Sequence, residues 1–171
     1  AGQGDGAILV LSASFHAGGP SGGYEPPAPV GTPGPEHLPP TPFAKPGVLD
    51  TRDASYDQPR SPQRRLWFRA GCELPDHLHA AAVAYATDHG PFGAARRIVD
   101  TAGAGRVDTM FRASLDHAIW FHHPPRVDAW VLYDIEAVAH RDDRILTSGR
   151  IIDGQGRRIA TVAQEILARE P

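Results

Sequence analysis

Apolar and polar positions alternate with a period of two along much of the second half of the chain, which predicts β-strands with one buried face. One segment breaks this pattern: "PDHLHAAAVAYATDHG", at residues 75–90, is apolar on nearly all sides. It opens on a Pro-Asp helix start and closes on Gly90, so it predicts a helix that is buried on most sides. The predicted strands span residues 64–71, 109–123, 129–140, 144–152 and 158–169.

This order of elements predicts an α+β fold. A helix this apolar cannot lie on the outside of a domain, so we expect an antiparallel sheet to curl around it. The stretch "DGQG" at residues 153–156 predicts the hairpin turn between the last two strands. The folded domain is expected over residues 63–171.

The first third of the chain has a different pattern. Residues 18–62 contain most of the 17 prolines and no apolar period, which predicts a linker or an extended arm. Before it, "AILVLSASFH" at residues 7–16 follows a Gly-rich turn and is typical of a strand, but no partner strand precedes it in the sequence. We therefore interpret residues 1–17 as the last strand of a preceding unit.

Charge and composition exclude some classes of partner. The formal net charge is -3, and the 17 Lys and Arg residues are spread along the chain, so no nucleic-acid partner is expected. No apolar run is long enough to span a bilayer and no secretory layout opens the chain, so no membrane partner is expected either. The single cysteine, Cys72, is predicted to be a small buried residue, and together these features predict a soluble, cytoplasmic protein.

Two polar residues interrupt otherwise apolar strand patterns. In "SLDHAIWFHHP", at residues 114–124, a regular strand would place Asp116 on one face with Arg112 and Ser114. A buried carboxylate without a partner is costly, so Asp116 is either paired with Arg112 or functional. Gln164 is the only polar residue in its row of the last strand, and it is either satisfied by the backbone or directed at a ligand or water.

The histidines of the same stretch do not predict a metal site. Neighbouring residues of a strand point to opposite faces, so His117, His122 and His123 lack a ligand geometry and are interpreted as packing or surface residues. No metal and no cofactor are expected.

Two blocks of sequence resemble a known family. "ASLDHAIWFHHPPRVDAWVLYDIEA" at residues 113–137 and "SGRIIDGQGRRIATVAQEILAR" at residues 148–169 are similar to the C-terminal half of acyl-CoA thioesterase II, a double-hotdog enzyme family. Upstream, "SASFH" followed by the Pro-rich segment resembles the end of the family's first hotdog and its linker. The resemblance runs from about residue 8 to residue 169, and it implies a hotdog fold.

The resemblance also implies a function in fatty acid metabolism, the hydrolysis of fatty acyl-CoA. An Asp, a Gln and a Thr or Ser position the attacking water in this family, and the first two fall on Asp116 and Gln164. Gln164 would either hold the water or donate to the oxyanion. The hydroxyl should follow Glu136, where this chain has "AVA" at residues 137–139. Hydrolysis is therefore expected to be impaired.

Two other functions remain open. The protein could be a degenerate hotdog subunit that binds acyl thioesters or completes a heteromer without hydrolysing them. A hotdog hydratase or dehydratase is a weaker alternative, because no convincing catalytic His beside an acid and a Gly-containing loop is present. In each case the sheet edge of one hotdog should be unpaired, so we expect a homo-oligomer or a pairing with a second hotdog, with acyl-CoA as the small-molecule partner.

Overall fold

The structure is a computed structural model that describes residues 2–3, 6–7, 10–15, 23–24, 26–41, 47–55, 61–102 and 110–169. It confirms the α+β hotdog architecture, with one long helix packed against an antiparallel sheet of six strands. Among the described residues, no helix is both long enough and apolar enough to cross a membrane. The strands are β1 (Gly2–Gln3), β2 (Gly6–Ala7), β3 (Leu49–Asp53), β4 (Gln63–Ala70), β5 (Phe111–Phe121), β6 (Val131–Arg141), β7 (Arg144–Ile152) and β8 (Arg158–Arg169), the helix is α1 (His79–Ala102), and single 3-10 turns span Pro35–His37 and Asp76–Leu78.

The order of strands in the sheet is β3-β4-β6-β7-β8-β5, and each neighbouring pair is antiparallel. Strands β7 and β8 have the predicted bounds. Strand β5 does not pair with β6, which follows it along the chain, but with β8 at the far side of the sheet. It therefore forms an edge of the sheet.

The helix is longer than predicted. The sequence pattern placed its end at Gly90, but α1 continues through Gly90 and Pro91 to Ala102. The prediction was wrong because Gly90 serves close packing here and does not end the helix. A Cβ built at Gly90 would lie 2.6 Å from Cε1 of Tyr133 on β6, so only glycine lets the helix approach the sheet this closely.

Proline inside a helix leaves one carbonyl without its usual donor, because Pro91 has no N–H to give to Thr87. The Tyr133 hydroxyl donates to that carbonyl at 3.5 Å, the long end of the hydrogen-bond range. Burial, assisted by the Asp88 carboxylate, raises the pKa of Tyr133 well above its ordinary value, so the phenol keeps its proton. Tyr133 thus packs against the helix and, at the same point, donates a hydrogen bond to the carbonyl that lacks a helical donor.

Part of the predicted linker belongs to the sheet. Strand β3 lies within residues 18–62 and pairs with β4, and Leu49 and Thr51 are buried. Arg64 and Arg97 both form ion pairs with Asp53, which attaches this strand to the body of the domain. The short strand was missed because it is only five residues long and Leu49 is its only apolar side chain.

Two other expectations differ from the structure. Residues 10–15 form no regular secondary structure, and Phe15 is 96% exposed. A strand needs a partner for its backbone groups, and no described strand offers one to this segment; its place in a preceding unit stays a prediction. Cys72 was predicted to be buried, but it is exposed in the turn after β4.

We expect Gly90→Ala to destabilise the protein by about 1–3 kcal/mol, because the added methyl group must displace Tyr133 or Ile135 in a packed core. Urea unfolding measures the change. Gly154→Ala is the control: a Cβ there meets no atom within 4 Å, so its effect should stay within about 0.5 kcal/mol. A gain in stability for Gly90→Ala, as helix propensity alone would give, would contradict this account of the packing.

Candidate active site

A β-bulge decides which side chains of β5 face the helix. Ser114 lies opposite Ile166 of β8 and Asp116 lies opposite Glu165, so Leu115 is an extra residue without a partner. After the bulge, His117 lies opposite Gln164. The alternation predicted from the sequence is therefore wrong across Leu115.

The bulge places Ser114 and His117 together on the side of α1. Ser114 hydrogen-bonds to Asp88 of the helix, and His117 hydrogen-bonds to Thr87. A regular strand would place Asp116 on the same face as Ser114. Instead, Asp116 points outward from the face of the sheet that is turned away from α1, and Glu165 lies opposite it.

Gln164 is the polar centre of the helix-facing side. Its side chain is fully buried. The Nε2 atom donates to Oδ1 of Asp88 at 2.9 Å and to Oγ of Ser114 at 2.7 Å, and the Ser114 hydroxyl donates to the same Asp88 oxygen at 2.8 Å. The Oε1 atom is also buried and has no hydrogen-bond partner among the described residues. The amide is thus held by its nitrogen end, and its oxygen end has no hydrogen-bond partner among the described residues.

Asp116 is exposed, and its Oδ1 accepts the backbone N–H of Glu165 at 2.9 Å. It forms no ion pair with Arg112 in the described structure, since the Arg112 guanidinium lies over the Phe92 ring, 5.8 Å from the centroid. The alternative in which Asp116 simply pairs with Arg112 is therefore wrong. Its carboxylate is fixed to the backbone of the next strand.

The two predicted site residues are close in the sheet but do not face each other. Asp116 lies opposite the residue that follows Gln164, and the two side chains leave opposite faces. The carboxylate that contacts the Gln164 amide is Asp88, from the middle of α1.

His117 is bound to the helix through Nε2, which lies 3.1 Å from the Thr87 hydroxyl oxygen. When the Thr87 hydroxyl donates to the backbone carbonyl of Val83 at 2.8 Å, its oxygen can accept from Nε2–H of His117. Burial lowers the pKa of His117, and the Asp88 and Asp116 carboxylates oppose that shift. No three His, Cys, Asp or Glu side chains in the described part of the chain are arranged to hold a metal ion.

Sequence reasoning missed Asp88 and Ser114. A signal for Asp88 was available, because Thr87 and Asp88 form a polar pair inside the alanine-rich run of the helix. Ser114 could not be assigned, since its face depends on the bulge at Leu115 and no sequence feature marks that bulge.

The segment where a hydroxyl was expected also contains a bulge. Ala137 lies opposite Thr147 and Ala139 lies opposite Leu146, so Val138 is extra, and its side chain is 54% exposed. Thr147 carries the hydroxyl that lies nearest in register, but it donates to the backbone carbonyl of Gln164 at 3.1 Å. Its role in the structure is to join β7 to β8.

Comparison with protein families matches residues 23–168 to the acyl-CoA thioesterase C-terminal domain. Mouse acyl-coenzyme A thioesterase 8 is 33% identical over 115 residues, which cover 66% of this chain and 35% of that protein. Acyl-CoA thioesterase 2 of Haemophilus influenzae is 42% identical over 57 residues, which cover 33% of this chain and 20% of that protein. The chain thus spans about a third or less of the length of these curated relatives.

Among solved structures, the acyl-CoA thioesterase II TesB2 from Mycobacterium marinum superimposes with a TM-score of 0.72 and 32% identity, over 91% of this chain and 60% of that one. A hot dog fold protein of unknown function from Alicyclobacillus acidocaldarius has a TM-score of 0.68 at 16% identity, over 89% of this chain and 58% of that one. The second likeness shows the fold alone.

His117 should make the protein less stable in acid. Its pKa is lowered in the folded state, so the unfolded state binds more protons once the pH falls through about 6.5. The free energy of unfolding, measured with urea at pH 7.5 and pH 5.5, should therefore decrease less in His117→Gln, in which the amide can still donate to Thr87. His140→Gln, at an exposed position, is the control. Equal acid losses in His117→Gln and the unaltered protein would contradict this assignment.

Proposed function

The chain belongs to the acyl-CoA thioesterase family, and from this membership we propose that it hydrolyses fatty acyl-CoA to a free fatty acid and CoA. The observation that supports the proposal best is the buried carboxamide of Gln164, whose nitrogen donates to the Asp88 carboxylate and whose oxygen has no hydrogen-bond partner among the described residues. Because the chain spans only part of its relatives, the activity of the complete protein, its acyl-CoA substrate and a role in cytoplasmic fatty acid metabolism all belong to this proposal.

The reaction needs a water molecule that loses a proton as it attacks. The water oxygen bonds to the thioester carbon, the carbonyl electrons move to the oxygen, and the tetrahedral oxyanion then expels CoA thiolate. A carboxylate takes the proton from the water, and the thiolate is protonated from solvent. The Gln164 oxygen can accept a hydrogen bond from that water and so orient its lone pair towards the carbon.

We propose Asp116 as the general base, on the resemblance of its "LDH" motif to the family. Its Oδ1 accepts the Glu165 N–H on the face of the sheet opposite to the Gln164 amide, so the motif, and not a contact with Gln164, supports this assignment. Asp88 is the competing carboxylate, since it already contacts the Gln164 amide. Substitution of each residue separates these two assignments.

A catalytically degenerate hotdog subunit is the second candidate. It is favoured by one observation: β6 carries no hydroxyl at residues 137–139, where the family places one, and Thr147 is committed to the backbone. Such a subunit would bind acyl-CoA without releasing thiol.

Thiol release from short- and long-chain acyl-CoA by the purified protein tests the proposal. We expect Asp116→Asn to lower kcat about a hundredfold or more, because general-base catalysis contributes about that much, and Gln164→Ala to lower it about tenfold or more. Asp142→Asn, at the exposed turn between β6 and β7, is the matched control and should not change kcat.

The two functions predict different results. Binding of acyl-CoA without thiol release by the unaltered protein would support the degenerate subunit and contradict the hydrolase. Turnover that is unchanged by Asp116→Asn would remove Asp116 as the base.

We also propose that a second hotdog pairs along β5. This strand is an edge of the sheet, and its apolar side chains Phe111, Leu115, Trp120 and Phe121 are all 44% or more exposed. An exposed, apolar edge strand readily adds another strand. The second unit is either another copy of the chain or the preceding hotdog to which residues 1–17 are assigned.

Light scattering should show a dimer of this chain, and Trp120→Glu should shift it towards monomer, because a charge then replaces the largest exposed apolar side chain of the edge. Val48→Glu, beside β3 at the opposite edge, is the control and should leave the dimer intact. A stable monomer of the unaltered chain at micromolar concentration would contradict pairing between copies.

A further inference from the structure

We propose that Asp88 is a positioning residue: it holds the nitrogen end of the Gln164 carboxamide so that the oxygen end faces the attacking water. This inference rests on the proposed thioesterase function and assigns a role to a helix residue that the sequence motifs do not include. Ser114 assists Asp88 in the same role.

The orientation of the amide follows from the chemistry of its neighbours. A carboxylate can only accept hydrogen bonds, so the amide atom 2.9 Å from Oδ1 of Asp88 has to be the nitrogen. Ser114 gives its single hydroxyl hydrogen to the same Asp88 oxygen, so towards Gln164 its oxygen acts as an acceptor as well. Both neighbours therefore favour the same orientation, and rotating the amide by 180° would place oxygen against oxygen.

This orientation selects one of two roles for Gln164. An amide nitrogen directed at the substrate could stabilise the oxyanion, whereas an amide oxygen can only accept a hydrogen bond. The atom of Gln164 without a hydrogen-bond partner is the buried Oε1, and a buried acceptor without a donor is costly. Gln164 therefore holds the water, and the oxyanion takes its hydrogen bonds from other donors.

Asp88 is placed for this role by the helix packing described above. It lies two residues before Gly90, where α1 packs closely against Tyr133 of β6, and next to Thr87, which hydrogen-bonds to His117. Two consecutive helix residues thus contact β5 and β8 at neighbouring positions, since Gln164 and His117 lie opposite each other in the sheet. The helix fixes the position of the amide relative to both strands.

The test is a double-mutant cycle on acyl-CoA hydrolysis. In Asp88→Asn the neighbour can both donate and accept, so either orientation of the Gln164 amide becomes possible. We expect kcat to fall about tenfold with KM within about twofold, because misplaced reacting groups affect turnover more than substrate binding. In the Gln164→Ala background the same substitution should lower kcat by less than about twofold, because Asp88 acts through Gln164. Asp142→Asn is the charge-matched control.

Ser114→Ala provides a second, milder variant, since Ser114 is exposed on an edge strand and its substitution leaves the hydrogen bond between Asp88 and Gln164 in place. It should lower kcat several-fold and should also lose its effect in the Gln164→Ala background. Equal losses from Asp88→Asn in both backgrounds, or an unchanged kcat in Asp88→Asn, would overturn the inference. A rise in KM with unchanged kcat would overturn it as well.

A readout without turnover separates this inference from the proposed function. The side-chain amide signals of Gln164 in a nitrogen–proton NMR spectrum can be assigned by their absence in Gln164→Ala. Asp88→Asn should shift them and Asp142→Asn should not. If the unaltered protein releases no thiol, the hydrolase proposal fails while these signals still report whether Asp88 holds the amide; if they do not move, the positioning role is wrong even in an active enzyme.

Discussion

The packing of one helix against the centre of one sheet determines where the polar groups of this domain meet. The Tyr133 ring lies between two glycines, Gly90 of α1 and Gly149 of β7, and a Cβ at either position would overlap it. Its hydroxyl reaches the carbonyl that Pro91 leaves without a donor. A Cβ at Gly90 would have to displace Tyr133 or Ile135, so this contact sets how closely α1, and with it Asp88, approaches the sheet.

A second constraint acts within the sheet. Because Leu115 is an extra residue in β5, each side chain after it points to the opposite face from the one that regular alternation would give it. Because of this change, Ser114 and His117 both point to the helix, and the Gln164 amide lies between helix and sheet, hydrogen-bonded to Asp88 and Ser114. The candidate site is therefore the product of a packing contact and a register shift.

Much of the fold could be predicted from the sequence. The alternation over residues 144–152 and 158–169 gave the bounds of β7 and β8, which pair in a single register from Arg144 to Ile151. The helix was predicted, but its predicted end came too early, because Gly90 and Pro91 are the usual signals of a helix end. Only the contact with Tyr133 explains why they lie inside α1. Strand β3 was missed, since it is five residues long and largely charged.

The site was less predictable than the fold. Gln164 was identified correctly as a buried polar residue, because a single amide in an apolar row stands out in sequence. Asp116 was singled out by its motif, but the direction of its side chain depends on a bulge that no residue type in the sequence indicates. Asp88 lies 76 residues before Gln164, so only the folded chain shows the contact. The sequence thus singled out Asp116 and Gln164, whereas register and packing decided which residues they contact.

The central claim is that the carboxamide oxygen of Gln164, and not its nitrogen, faces the reacting water. A crystal structure of the protein with a thioether analogue of acyl-CoA, in which a methylene separates sulfur from carbonyl, tests it most directly. We predict an ordered water about 2.8 Å from Oε1 of Gln164 and next to the analogue's carbonyl carbon, with Nε2 still on Asp88. An analogue whose carbonyl oxygen accepts a hydrogen bond from Nε2 of Gln164, with Asp88 turned away, would contradict the account.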